Sequence, residues 1–187
     1  MNGMDDANAV ITVTRRWLET MVIGLNLCPF ARRVYEAQRI RYFVSEAINE
    51  EKLRADLARE LTALHETPRT QVETSLLIHP RVLVDFLEYN DFLAVAEETL
   101  HDLDMVGTIQ IASFHPQYQF AGTSIEDVEN TTNRSPFPML HLLREVSVTE
   151  VAENAEFLAG IPARNMTLMR HLGQQQILDM LRKIQAG

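Results

Sequence analysis

Histidine, carboxylate and arginine side chains gather around two points of the chain, and their spacing suggests proton transfer and anion binding. His79–Pro80 and His115–Pro116 each close a short apolar run. Imidazole titrates near neutrality, which suits it to general acid or base work. After Pro116 comes QYQFAGTSIEDVENTTNRSPFPMLHLLRE, whose first part, 117–135, reads as one long loop carrying Tyr118, Asp127, Asn130, Asn133 and Arg134. A loop of that length is commonly a lid, a binding loop or a disordered stretch. Tyr118, Phe120, Ile125 and Val128 argue for burial. Ser135 and Pro136 read as the N-cap and first residue of a helix. Arg134 is thereby expected at a helix N-terminus, where its planar fork and the unpaired N–H groups would together favour an anion. On the expected helix, His141 and Glu145 stand four apart on one face, with Arg144 beside them. That pair suits an oriented general base. With His115 and Asp127 the same residues would be the set for a metal, although nothing in their spacing fixes a coordination geometry. The plainer account is a solvated helix face, and the plainer account of His79 is a strand end before a proline.

Cys28 has two opposed readings. On the apolar stripe of the first helix it is a buried, inert thiol. As the N-cap of a second helical stretch opened by Pro29, beside Arg32 and Arg33, it would be a reactive thiolate. No glycine-rich phosphate loop, dinucleotide fingerprint, nucleophile elbow or HExxH occurs, so no cofactor is assigned.

The elements that must position these groups follow from periodicity. Residues 12–27 and 29–35 read as helices, 39–45 as a strand and 49–66 as an amphipathic helix with Leu53, Leu57, Leu61 and Leu64 on one face. Residues 73–80 read as a buried strand, 82–103 as one or two helices and 107–116 as a third strand. Helices are expected over 136–155 and most of 161–185, the latter opened by Pro162 and interrupted at Gly173. Strand alternating with helix implies an α/β domain. The expected sheet is short, mostly parallel and three- to four-stranded, with His79 and His115 emerging at its carboxyl edge. An α+β sheet is the alternative, and a fourth, edge strand is sought in 117–123 or 146–149.

Composition bounds the partners. The chain has 187 residues, 46% of them hydrophobic, which fits one domain over 1–187. A net charge of −9 disfavours nucleic acid as a partner. One cysteine excludes an internal disulfide. No apolar run is long enough to span a membrane and no secretory leader is read, so a cytoplasmic location is expected. Fifteen of the seventeen basic residues are arginine, so an anion clamp here would be made of guanidinium groups.

The segments GLNLCPFARR and ASFHPQYQFAGTSIEDVENTTNRSPFPMLHLLRE, with IPARNMTLMRHLG near the end, resemble the family called domain of unknown function 1415. The resemblance spans nearly the whole chain and implies a single domain. It brings no activity, substrate or catalytic residue with it.

The residues together point to an enzyme acting on a small anionic metabolite. His115 and His141 would move protons, Asp127 or Glu145 would orient the nearer imidazole, and Cys28 is an optional nucleophile. Arg134 and Arg144 would hold the anion, with Asn130, Asn133, Tyr118 and His79 as further ligand contacts. The alternatives are a metal-dependent enzyme using the same residues, or a binding module without turnover whose leucine-rich helices form a homodimer contact.

Overall fold

The computed structural model describes residues 2–151 and 155–186. Helix α1 (Asn2–Trp17) widens into a π-helical segment, Leu18–Ile23, and a short α2 (Ala31–Glu36) follows. Strand β1 (Ile40–Val44), α3 (Glu50–Glu66), β2 (Thr74–Ile78), α4 (Phe86–Asp102) and β3 (Ile109–Phe114) then alternate as periodicity predicts. Asn49 caps α3 by accepting the Lys52 N–H at 2.9 Å. Asp85 caps α4 through the N–H groups of Leu87 and Glu88. These caps satisfy donors that the helices cannot pair internally. α4 is continuous, with no break near Tyr89–Asp91.

The sheet order is β1-β2-β4-β3, and its fourth strand is the main departure from expectation. Residues Met139–Arg144, expected to be helical, form β4. It runs antiparallel to both β2 and β3, so β1–β2 is the one parallel pair. The content is mixed α/β, but "mostly parallel" does not hold. The reason lies in MLHLLR. Its leucines satisfy a helical stripe, yet the run is apolar enough to be buried on both faces as an inner strand. Pro136 and Pro138 disfavour helical backbone at Ser135 and Phe137, the residues before them, and the entry bends at 136–137 instead of opening a helix. The fourth strand is inserted inside the sheet, whereas 117–123 carries no strand and 146–149 lies in α5 (Glu145–Val151). Of the helix expected over 136–155, residues 152–154 lie outside the described residues.

Alternation along each strand builds two cores. Leu77, Leu140, Leu142 and Ile109 face α3 and α4, where Leu53, Leu57, Leu61 and Leu64 are fully buried. Those leucines are spent inside the chain and are not free to form a dimer contact. Leu76, Ile78 and Met139 face Trp17, Met21 and Val22 of the opposite layer. Helix α6 (Ala155–Ala186) closes that side, breaking at Gly173, whose φ of 75° suits a residue without Cβ. Met169 and Ile177 of α6 pack on Leu27 and on Val128 of a 3-10 turn, Val128–Asn133. No helix among the described residues is long and apolar enough to cross a membrane.

Candidate functional site

On the α1 side of the sheet lies a cavity of about 190 Å³, roofed by the segment from Trp17 to Val34. Strand register sets its floor. Thr74, Leu143 and Gln110 form one row across β2, β4 and β3, and Leu76, His141 and Ala112 form the next. Phe114 lies in the following row and meets Trp17 edge to face, at 5.4 Å between ring centroids. Leu18, Val22, Phe30 and Val34 add apolar wall. The charged lining lies at the Thr74 end, where Arg33, Glu73, Arg144 and Ser147 line the cavity.

That end is rich in guanidinium groups. The Glu73 carboxylate, 1% exposed, takes Arg33 at 2.7 Å, Arg39 at 2.9 Å and Arg69 at 3.4 Å. Arg69 also pairs with Glu150. Arg144 donates through Nη2 to the carbonyls of Leu64, Thr67 and Val72. Four arginines thus surround two carboxylates, leaving a local excess of positive charge. Three atoms of cavity-lining residues are buried with no hydrogen-bond partner among the described residues: the donors Arg144 Nε and Ser147 Oγ, and Glu73 Oε2, an acceptor held in its ion pair with Arg39. Orphaned buried donors are uncommon because each forfeits its hydration without compensation.

His141 sits in the middle row of the floor, on a strand and not on the helix face shared with Glu145 and Arg144. Its Nε2 lies 2.7 Å from Thr74 Oγ1, whose single proton goes to the Leu142 carbonyl at 2.6 Å. Nε2 must therefore carry the ring proton and donate to Thr74, leaving Nδ1 as the acceptor. Burial pushes its pKa down to about 4, so the ring is neutral at pH 7. Glu145 begins α5, where its N–H bonds the Thr108 carbonyl, and it does not line the cavity.

Cys28 also lines the cavity. It does not cap α2, whose N-cap is Phe30. Burial raises its pKa, and this outweighs the lowering by the N–H groups of Phe30 and Ala31 and by Arg164. At neutral pH that direction favours the thiol over the thiolate.

The other expected site residues belong to the opposite sheet edge and its loop. His79 and His115 do leave β2 and β3 at the same edge, with the Tyr89 ring 5.8 Å and 5.0 Å from them. Each is engaged in the fold. His115 Nδ1 accepts the Gln117 N–H at 3.0 Å, so Nε2 carries the proton toward the Leu83 carbonyl. His79 Nδ1 donates to the Val82 carbonyl at 3.0 Å, and Nε2 is buried without a partner among the described residues. Burial lowers both pKa values, that of His79 to about 4.

The loop is a self-bonded structure. Buried Asn130 accepts from the Phe120 N–H and the Thr123 hydroxyl and donates to the Ser124 carbonyl. Asn133 donates to the Ser113 carbonyl, and Asp127 accepts the Ser124 N–H. Tyr118 packs between Phe86 and Phe120. Arg134 does not meet a helix N-terminus, because β4 follows in place of a helix and Ser135 bonds Phe137 instead of capping. Its guanidinium donates to the carbonyls of Tyr118 and Ile125. Its own carbonyl accepts the Trp17 indole N–H at 3.0 Å, which ties the loop to the apolar end of the cavity.

The structure thus brings together Cys28, His141 and Arg144, and leaves the loop residues apart from them. The expected metal set of His115, His141, Asp127 and Glu145 is dispersed. No cluster of three or more histidine, cysteine or acidic side chains suited to a metal occurs among the described residues. Sequence reasoning passed over Arg33, Glu73, Thr74, Gln110 and Ser147 as site residues. The available signal was Glu73–Thr74 at the head of a buried strand, an acidic residue entering a core.

The sequence profile of the family described as "Protein of unknown function (DUF1415)" matches residues 9–179, and the chain belongs to that family. No curated protein and no solved structure matches it.

Proposed function

We propose that the chain binds a small anionic metabolite with an apolar body in the cavity over β2, β4 and β3. One observation carries the reading: an apolar cavity ends at two buried, unpartnered donors, Arg144 Nε and Ser147 Oγ, beside an excess of guanidinium charge. A negative group placed there would supply the missing acceptor, and its charge would be attracted by the arginines. The apolar walls would gain about 25 cal/mol for each Å² of ligand surface removed from water. The anion-binding role expected of Arg134 passes to Arg144 and Arg33.

Turnover is a second reading, favoured by Cys28 and His141 lining the same cavity. A neutral imidazole with a low pKa is an acceptor and a weak base, so His141 would receive a proton and not supply one at pH 7.

Thermal-shift screening of apolar carboxylates and phosphates tests the binding reading. Ligands should raise Tm in proportion to log concentration. Ala112→Phe, which fills the floor of the cavity, should abolish the rise while leaving the circular dichroism spectrum unchanged. A rise that survives Ala112→Phe would place the ligand elsewhere. Incubation with any ligand so found, followed by mass analysis, separates binding from turnover.

A further inference from the structure

We infer that the polar end of the cavity is a seat for a single carboxylate, and that its ligand is a chain-like carboxylic acid lying along the strands. This rests on the reading of the cavity as an anion site and narrows it to one substrate class. The donors on offer are few. Nη2 of Arg144 is committed to the carbonyls of Leu64, Thr67 and Val72, and Nε is its buried, unpartnered donor. Ser147 Oγ, three residues on, is the second unpartnered donor. Two donors match the two oxygens of a carboxylate. A phosphate monoester brings a third oxygen and a second charge, and it would meet the buried carboxylate of Glu73 at the same end. The arginines around Glu73 are already paired with it, which limits the charge left for a dianion.

The body of the ligand follows from register. From the Thr74 row to the Phe114 row is four residues of strand, roughly 13 Å at about 3.3 Å per residue. Over that length the floor offers Leu76 and Ala112, and Trp17 stands beside Phe114 at the far end. An unbranched apolar chain matches a floor of that length with apolar residues along it.

Titration calorimetry with decanoate, decan-1-ol, decyl phosphate and decylamine tests the inference on the intact protein. Decanoate should bind at least about tenfold more tightly than the other three. Ser147→Ala should weaken decanoate by about tenfold and leave the weak binding of decan-1-ol little changed. Arg144→Met should abolish decanoate binding, but it also strips three carbonyls of their donor, so Ser147→Ala carries the test. Equal or tighter binding of decyl phosphate or decan-1-ol would overturn the carboxylate seat while leaving the cavity as a binding site. Decanoate binding unchanged by Ser147→Ala would also overturn the seat. Failure of all four probes would overturn the chain-like ligand, and preference for decylamine would overturn the anion reading itself.

Discussion

At the residue scale, burial favours the neutral forms of His79, His115 and His141, and this has a measurable consequence. His79 and His141 have pKa values near 4 in the folded chain against about 6.5 when unfolded, and His115 is lowered in the same direction. Between pH 6.5 and 4 the unfolded chain therefore binds more protons, and folding stability falls as pH falls. Above pH 6.5 the full contribution is present. Each of His79 and His141 would account for up to about 3 kcal/mol across that window. Urea unfolding from pH 7.5 to 4 should show stability falling steadily below pH 6.5. His79→Gln, which cannot titrate, should flatten the fall by about one proton relative to the parent chain. Identical slopes would show that His79 is not held neutral.

At the scale of elements, the 117–135 loop is braced by its own carbonyls and asparagines, and Arg134 is a brace. It reaches the carbonyls of Tyr118 and Ile125 through two separate nitrogens of its planar fork, a spread that the single nitrogen of a lysine does not reproduce. Arg134→Lys should lower stability by about 1–2 kcal/mol and speed proteolytic cleavage within the loop, without changing ligand affinity. Weakened ligand binding with unaltered stability would return Arg134 to the anion site. The link from the Arg134 carbonyl to Trp17 makes the loop a support for the apolar end of the cavity.

At the scale of the whole molecule, β4 joins the two cores. It bonds β2 on one side and β3 on the other. Leu140 and Leu142 point to α3 and α4, while Met139 and His141 point to the opposite layer. Leu140→Ala should cost about 2–5 kcal/mol, because the packed neighbours cannot close the space left behind. Amide exchange should be slowest in β2 and β4, whose backbone groups pair on both edges. Fast exchange in β4 would place the stable unit elsewhere.

What the sequence determined alone was what local periodicity can express. The four leucines of α3 repeat at helical spacing, and LLI, bounded by His79–Pro80, is a short apolar run. β1, β2, β3, α3 and most of α4 needed no distant partner to be legible. The loop's extent was legible too, since no periodicity runs through it. Cys28, His141 and Arg144 were picked out by type. The identity of β4 was not legible, because the four apolar residues of MLHLLR serve a helix stripe or an inner strand equally well until neighbouring strands supply their hydrogen bonds. The site depended on the same long-range arrangement. Arg33, Arg39 and Arg69 converge on Glu73 from separate segments. The tautomer of His141 is set by Thr74, 67 positions away in the chain. Whether a polar atom is satisfied, shielded or left open to a ligand depends on every group around it in space, and that was settled only when the chain packed.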